Sequence, residues 1–335
     1  MKFRIHRNWR WLVALGAILV PGIVAGAFNV PHTFTAGTPI KASEMNANFD
    51  ALAAKLDALN NPPAPVSVGT LTLENVATDL PISKFSQSIQ VTWVPPTAPS
   101  KPKFSEIVVT RDAGASTPQL NLRASQGSLV PSASIVLGNL TVALGQVHIV
   151  GMGVAEPRGG LPQESITLTF TSISWTWSDG VNPSRQMSYD IAKGTGGSGA
   201  VKAFNFGYFP PGVTPDPAYV PISSYSQQSA CAVPGPGCKL IHGPLSVKKL
   251  VGVDTLDEIG GSVVAKQCSA ELSWFKDETT INNSVSLPQA LVTGLAISTG
   301  DDGSLNETTS LTYSQVSWKA GIVEAGWDVV ANAPL

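Results

Sequence analysis

The second half of this chain repeats the first half. Five segments of the first half recur in the same order, shifted by 137 to 143 residues. The matched segments are 81–87 with 221–227, 132–136 with 269–273, 146–154 with 289–297, 167–175 with 310–318, and 188–191 with 326–329. Chance similarity between β segments is the alternative, but collinear matches at one spacing are typical of a duplicated unit. The sequence therefore predicts two tandem, divergent copies of one structural unit.

The composition favours β structure in both copies. Only 13% of the residues are charged, and the 31 Gly and 26 Pro argue against a mostly helical or a disordered chain. In residues 165–177 apolar side chains alternate, with a slip after Phe170 that predicts a β-bulge. One short helix is predicted between Pro118 and Gly127. Its counterpart in the second copy shrinks to residues 255–259, before Gly260 and Gly261.

The N-terminus has the features of a signal peptide. A basic start (Lys2, Arg4, Arg7, Arg10) precedes an apolar stretch that ends in Ala-Gly-Ala at residues 25–27. We therefore expect cleavage after residue 27, the alternative being an uncleaved anchor. The processed chain would carry about −6 net charge, which disfavours nucleic acid and stable membrane insertion. The expected location is secreted, periplasmic or at the cell surface.

Residues 28–65 are predicted to hold one helix and a stiff Pro-rich spacer. The apolar residues of the helix over 41–60 are spaced by four and three, as in a coiled-coil seam: Met45, Phe49, Leu52, Leu56 and Leu59. Because a lone helix of this length is marginal in water, the seam must be buried on a partner. Packing on the chain's own β structure is one possibility, and self-association is the one that we favour.

The cysteines and glycines carry little catalytic chemistry. Cys231 and Cys238 flank a turn-rich loop and are candidates for a disulfide in an oxidising compartment, the alternative being two reduced thiols. Cys268 lies in a strand-like run and is interpreted as a buried small residue. Residues 194–200 contain a G-x-G-x-x-G pattern, but a strand-like segment follows it, so a linker is expected rather than a dinucleotide site.

No catalytic or metal site is predicted from the remaining polar residues. His148 has Leu291 as its counterpart in the second copy and is interpreted as a packed or edge-exposed residue. The acidic segment 300–307 could hold a weak Ca²⁺, but it is better explained as a polar hairpin loop. We therefore expect no enzyme activity, no cofactor and no metal.

The first copy resembles the Hcp family, the tube protein of type VI secretion. Five features carry the resemblance in order: a strand at 69–73, a strand with a charged turn at 104–112, a helix framed by Ser116, Pro118 and Gly127, a strand at 133–137, and a strand ending at 174–177. Separately, residues 34–52 resemble a short module near the N-terminus of exported bacterial and phage-fibre proteins. That resemblance implies an oligomerisation helix, often trimeric.

The Hcp resemblance implies β-barrels that assemble into six-fold rings and stack as tubes. The expected architecture is mostly β, with two tandem Hcp-like barrels at 66–193 and 201–335, each with at most one short helix, joined by the linker at 194–200. The signal peptide, the doubled barrel and the heptad helix depart from that family, so service as a cytoplasmic tube is not expected. Two barrels per chain in a trimer would instead place six barrels in a ring.

The predicted function is that of an exported structural protein that assembles with itself, as a trimer forming a pseudo-hexameric ring or a fibre or tube element. A cell-surface or secreted protein could be a further partner. The alternative is a secreted module that binds a carbohydrate or a protein through barrel loops. The candidate contact residues for that alternative are Tyr208, Phe209 and Tyr219, which lie in a Pro-rich loop.

Overall fold

The computed structural model describes residues 39, 41–60, 67–155, 162–197, 203–231 and 240–335. The predicted signal peptide lies outside these residues. By compactness the chain divides into residues 1–63 and residues 64–335. In the first unit, α1 (Ala42–Asn60) is a helix of 19 residues, as the heptad spacing predicts.

The second unit consists of two successive sets of strands, each with one helix. The first set is β1 (Gly69–Leu73), β2 (Ala77–Ile82), β3 (Lys84–Gln90), β4 (Lys103–Phe104), β5 (Ile107–Asp112), α2 (Thr117–Gln126), β6 (Val130–Leu137), β7 (Leu140–Ala155), β8 (Gln163–Thr169), β9 (Ser172–Trp177), β10 (Arg185–Asp190) and β11 (Thr195–Gly196). The second set is β12 (Phe204–Tyr208), β13 (Val220–Pro221), β14 (Ser224–Cys231), β15 (Leu240–Leu250), α3 (Thr255–Val264), β16 (Cys268–Phe275), β17 (Ile281–Thr299), β18 (Leu305–Tyr313), β19 (Gln315–Ala320), β20 (Val323–Asp328) and β21 (Ala333–Pro334).

Each set of strands closes on itself as a barrel. In the first set the pairing runs from β1 through β6, β7, β8 and β5 to β3. The chain continues directly from β2 into β3, and β2 pairs with β1, which completes the circuit. In the second set β12, β16, β17, β18, β15 and β14 form the corresponding circuit, completed through β13. Closure removes most free edges, as expected for a barrel. The mostly β, two-barrel fold class is confirmed.

The repeat extends to individual irregularities of the sheets. The register between β7 and β8 shifts between Ile149 and Gly151, and that between β17 and β18 shifts between Val292 and Gly294. Positions 149 and 292 differ by 143, the same shift that relates the repeated segments. A bulge changes the face on which the following side chains lie. Because both barrels have the bulge at the equivalent position, their side chains keep the same register after it. The first strands differ, since β1 is antiparallel to β6 whereas β12 is parallel to β16.

Two local expectations are wrong. The slip after Phe170 is a strand break rather than a bulge: β8 ends at Thr169 and β9 begins at Ser172. In addition, α3 does not stop before Gly260 but runs on to Val264, where Ala265 adopts a left-handed conformation at its C-terminus. Tertiary packing on both faces of α3 outweighs the low helix propensity of the Gly pair. The helix α2, in contrast, ends as predicted, with Gly127 in the left-handed region.

The main apolar core runs through both barrels. It contains Phe85 and Trp175 from the first barrel and Phe206 and Leu272 from the second, all nearly inaccessible to solvent. Of the predicted linker 194–200, Thr195 and Gly196 form β11 against β10, and residues 198–200 lie outside the described residues. The predicted boundaries 66–193 and 201–335 therefore remain a proposal, within one compact unit.

Candidate self-association surface

The two barrels are joined by a strand pair that belongs to neither barrel alone. One edge of β3 pairs with β5 of its own barrel, and the other pairs antiparallel with β17 of the second barrel. The register matches Gln90 with Gly294 and Ser86 with Ser298. Ile89, Leu295 and Ile297 are buried there, each no more than 3% exposed. We call this contact, together with the helix contact described next, the internal junction.

The helix α3 forms the second part of the internal junction. It packs on β17 of its own barrel and on β3, β9 and β10 of the first barrel. A guanidinium nitrogen of Arg185, in β10, donates a hydrogen bond of 3.2 Å to a carboxylate oxygen of Asp257, in α3. This bond raises the pKa of Arg185, although that side chain is always charged. A Cβ added at Gly260 would lie 2.7 Å from Cε of Met187, so a larger residue there would displace the end of that side chain.

A buried charged cluster fixes α3 to the second barrel. The cluster consists of Lys249 with Asp254, Glu258 and Glu307. Nζ of Lys249 lies 2.5 Å from Oδ2 of Asp254, 3.3 Å from Oε1 of Glu258 and 2.8 Å from Oε2 of Glu307. The side chains of Lys249, Glu258 and Glu307 are at most 1% exposed. Thr255 donates a 2.5 Å hydrogen bond to Oε2 of Glu307, and the hydroxyl of Thr309 is hydrogen-bonded with carboxyl oxygens of both Glu258 and Glu307.

The buried cluster shifts the pKa of its three most buried members, Lys249, Glu258 and Glu307. Burial raises the pKa of Glu258 well above its usual value, and the negative charge of Glu307 raises it further. Burial also opposes ionisation of Glu307, but its hydrogen bond with Glu258 and the charge of Lys249 hold its pKa below the usual value. Burial disfavours the charged form of Lys249, yet the three carboxyl groups outweigh it and raise the pKa of this ammonium. Burial and the charge of Glu307 thus favour the protonated form of Glu258, whereas the charged forms of Glu307 and Lys249 are favoured.

The first barrel has a simpler version of the same cluster. Nε of Arg111 lies 3.2 Å from Oε1 of Glu164, and both side chains are at most 6% exposed. These two residues face each other across β5 and β8, as Lys249 and Glu307 do across β15 and β18. Arg111 also donates a 2.8 Å hydrogen bond to Ser116, just before α2. A buried base and acid thus hold the helix of each barrel.

An aromatic cavity of about 650 Å³ opens on the second barrel. Its lining includes Tyr208, Tyr225, Trp274, Trp318, Val323 and Ala325. Tyr208 and Tyr225 are 39% and 45% exposed, and Tyr225 meets Trp274 edge to face with ring centres 4.8 Å apart. Asn282, Ser284 and Lys319 add polar groups. The cavity offers stacking surfaces and hydrogen-bonding groups together.

Of the three loop aromatics predicted to contact a ligand, only Tyr208 lines this cavity. The ring of Phe209 stacks on Phe275 with centres 4.3 Å apart, and Tyr219 meets the same ring edge-on at 4.9 Å. Both therefore pack against the barrel. Trp274 and Trp318, which complete the cavity, were missed because they lie in strands rather than in the Pro-rich loop.

The predicted seam lies on α1. Met45, Phe49 and Leu52 are 40%, 61% and 50% exposed. Leu56 and Leu59 lie within the helix, but their side chains are outside the described residues. The seam thus presents apolar side chains in the spacing that a partner helix requires.

The remaining candidate residues have structural surroundings. Cys231 ends β14, and its side chain and the whole of Cys238 lie outside the described residues. Cys268 is a partly buried free thiol, and burial raises its pKa to about 12. Nδ1 of His148 lies 3.2 Å from the carbonyl oxygen of Gly127. In the acidic segment, Asp302 accepts hydrogen bonds from Ser304 in a hairpin turn, whereas Glu307 belongs to the buried cluster.

In the described part of the chain, no helix combines the length and apolar content needed to span a membrane.

Comparison with known proteins identifies the class of barrel. Residues 69–177, which run from β1 to the end of β9, match the family described as "Type VI secretion system effector, Hcp". The first barrel is therefore Hcp-like, which confirms the resemblance predicted from the sequence. No curated protein matches the chain.

Several solved structures are similar to part of the chain. A type VI secretion system effector from Yersinia pestis is 15% identical, covering 37% of this chain and 99% of its own, with a TM-score of 0.31. Hcp1 from Salmonella typhimurium is 12% identical, with coverages of 38% and 97% and a TM-score of 0.34. Hcp1 from the E. coli EAEC 042 pathovar is 15% identical, with coverages of 38% and 99% and a TM-score of 0.32. The assignment rests on the family match and not on these scores.

Proposed function

We propose that this chain is an exported structural protein that assembles with itself. In the proposed assembly, three chains form a ring of six barrels, or an element of a fibre or tube, related to the tubes of type VI secretion. The internal junction is the observation that carries the proposal. Two units of one topology associate side by side within the chain, through both a continued sheet and a shared helix.

Three further features support assembly rather than catalysis. The first barrel matches the Hcp family over residues 69–177. The seam on α1 presents exposed Met45, Phe49 and Leu52, which a parallel trimer would bury. Strong pKa shifts occur at Lys249 and Glu258, which are at most 1% exposed under α3, and at the largely buried Cys268, so these groups are poorly placed to meet a substrate. We therefore propose a structural and not an enzymatic role.

The proposed location depends on the N-terminal segment. A basic start, an apolar stretch and Ala-Gly-Ala at 25–27 support export and cleavage before Phe28. The exported protein would then be secreted, periplasmic or held at the cell surface. Mass determination of the protein recovered outside the cytoplasm tests this step, since cleavage leaves Phe28 as the first residue.

The oligomeric state tests the function itself. The chain lacking residues 1–27 is purified and its mass measured by light scattering after size-exclusion chromatography, over a range of micromolar concentrations. A trimer, together with ring-shaped particles in negative-stain electron microscopy, is the expected result. A monomer at all concentrations contradicts the proposal.

A binding module for a carbohydrate or a protein is the second candidate function. The aromatic cavity favours it, because Tyr208, Tyr225 and Trp274 expose ring surfaces beside amide and hydroxyl groups. Aromatic faces with a few polar groups are typical of ligand sites. A glycan array probed with the purified chain distinguishes this candidate, and Trp274→Ala should abolish any signal that arises in the cavity.

A further inference from the structure

The internal junction leaves its two matching strand edges without a partner in the described residues. β14 is the counterpart of β3 and pairs with β15 on one edge only. The last residues of β7, Gly151 to Ala155, are the counterpart of the β17 segment that receives β3, and they pair only with β8. Neither edge carries a charged residue or a proline, the usual protection of an edge strand. The second barrel therefore exposes an edge equivalent to that of β3, and the first barrel exposes an edge equivalent to that of β17.

The two helices show the same imbalance in burial. Eight of the ten residues of α3 are buried, whereas Leu120 is the buried residue of α2. Leu122, the counterpart of Gly260, is 54% exposed. α3 packs against its own barrel on one side and against the first barrel on the other. Among the described elements, α2 packs only against its own barrel. One face of α2 is thus left open where α3 is in contact with β10.

The aromatic cavity lies where the second barrel lacks its helix cover. Val323, Ala325 and Trp318 line it, and their counterparts in the first barrel are Arg185, Met187 and Trp175. In the first barrel, α3 contacts Arg185 through Asp257 and Met187 through Gly260. Trp175 is fully buried, whereas Trp318 remains partly exposed. The aromatic cavity of the second barrel is therefore equivalent to the surface of the first barrel on which α3 packs.

The side chains at this position are complementary in size. Within the chain, the small residue Gly260 is on the helix and the large residue Met187 is on the strand. At the open positions the sizes are reversed, with Leu122 on α2 and Ala325 on β20. A large helix residue facing a small strand residue fills about the same volume as the reverse arrangement, as close packing requires. A helix like α2 therefore fits the cavity.

We propose that the aromatic cavity and the free edge of β14 in one chain receive α2 and the end of β7 from a second copy. This inference rests on the proposed function, and it specifies which surfaces join the chains. By the register of the internal junction, Gln227 pairs with Val154 of the second copy, and Ala230 pairs with Gly151. The contact is head-to-tail, because the second barrel of one chain meets the first barrel of the next.

The exposed apolar groups at the edge agree with this register. Val154 is 61% exposed, and its counterpart Ile297 is 1% exposed inside the internal junction. Tyr225 is 45% exposed, and its counterpart Phe85 is 1% exposed in the first barrel. The head-to-tail contact would bury both Val154 and Tyr225, as the internal junction buries Ile297. The free energy gained from this burial would favour association.

Disulfide trapping tests the register directly. Val154→Cys and Gln227→Cys are made in separate chains lacking residues 1–27, mixed and oxidised mildly, and the digested product is searched by mass spectrometry for the 154–227 linkage. Residues opposite each other in an antiparallel pair lie close enough for a disulfide. Val181→Cys replaces Val154→Cys in the control, because Val181 is 88% exposed in the connection between β9 and β10 and is not on the edge of β7. The linkage is expected only in the first mixture.

The helix contact is tested on the same background. Leu122→Asp, added to the Val154→Cys chain, should lower the yield of the linkage at least tenfold, and Val181→Asp should leave it unchanged. Ala325→Met, added to the Gln227→Cys chain, should also lower the yield by overfilling the cavity. Leu122→Ala in the partner chain should then restore it. This rescue is specific to a contact between these two positions, and loss of folding cannot produce it.

The outcomes separate the inference from the proposed function. A trimer in light scattering without the 154–227 linkage overturns the inference and leaves self-assembly standing. A wild-type monomer without the linkage overturns both. A glycan that binds the wild-type chain and is lost in Trp318→Ala, with no linkage formed, assigns the cavity to a ligand and overturns the inference.

Discussion

Replacing Lys249 by Met should destabilise the second unit more than any other single change of one lysine. The long apolar stem is retained in Lys249→Met, so the change removes the ammonium with little loss of packing. The ammonium neutralises a buried cluster in which Glu307 lies 2.8 Å away and is 0% exposed. Without it, Glu307 must either stay charged in an apolar surrounding or take up a proton.

The expected loss of stability in Lys249→Met depends on how many buried negative charges lose their positive partner. Burial and the charge of Glu307 raise the pKa of Glu258 and favour its uncharged form. Asp254 is 28% exposed and keeps contact with water. One buried carboxylate, Glu307, is therefore left uncompensated, which costs about 3–5 kcal/mol in proteins. For a unit of this size that corresponds to a decrease in Tm of roughly 6–10 °C.

The assay is equilibrium unfolding in denaturant and by heat, followed by tryptophan fluorescence. Lys248→Met is the matched control, because Lys248 is the neighbouring residue on β15 and is exposed. Its free energy of unfolding should change by less than about 0.5 kcal/mol. Adding Glu307→Gln to Lys249→Met should recover at least half of the loss, since the stranded charge is then removed. If the free energies of unfolding of Lys249→Met and Lys248→Met lie within about 1 kcal/mol of each other, Lys249 does not stabilise a buried charged cluster and the assignment is wrong.

Three further predictions follow from the same structure. Because the folded state raises the pKa of Glu258, its contribution to stability is lost as pH rises above the ordinary value of 4.5. The wild type should therefore lose stability relative to Glu258→Gln as pH increases from that value, and parallel pH profiles for the two would contradict this. Leu52→Lys should weaken self-association at least tenfold in analytical ultracentrifugation, whereas Ala54→Lys, off the seam, should not. Equal effects of the two changes would show that the seam does not mediate self-association. Without reductant, the native chain lacking residues 1–27 should not be alkylated rapidly at Cys268 at about pH 8, since burial raises its pKa to about 12, and Cys231 and Cys238 should become reactive only after reduction. Alkylation of Cys231 and Cys238 without reductant would show that they are free thiols.

The sequence predicted those features that depend on local pattern or on the repeat. The start and end of α2 follow from Pro118 and Gly127, and the seam of α1 follows from the heptad spacing. The extension of α3 through Gly260 could not be predicted, because α3 packs between its own barrel and strands β3, β9 and β10 of the first barrel, which are distant in sequence. No local rule describes a helix held from both sides by distant strands.

The buried cluster shows where a signal existed but was not used. Lys249 and Glu307 are 58 residues apart, and their contact depends on the pairing of β15 with β18. Neither residue is unusual in its own segment. However, Arg111 and Glu164 occupy the same two positions in the first copy, at the shifts of 138 and 143 that relate the repeats. A base and an acid retained together at matched positions of two divergent copies indicate a contact, which the repeat alone could have suggested.

Divergence of the two barrels gives the chain a direction that identical barrels would lack. The internal junction combines Gly260 with Met187 and adds the ion pair between Arg185 and Asp257. The matching open surfaces combine Leu122 with Ala325 and place uncharged Gln119 and Val323 where that ion pair would be. If α3 of one chain entered the aromatic cavity of another chain, Asp257 would face Val323 and would lose its ion pair with Arg185. Specificity of this kind comes from penalising the wrong pairing as much as from favouring the right one. Because the internal junction forms within one chain at a high effective concentration, the proposed head-to-tail contact between chains can be weaker and still close the proposed ring of three chains.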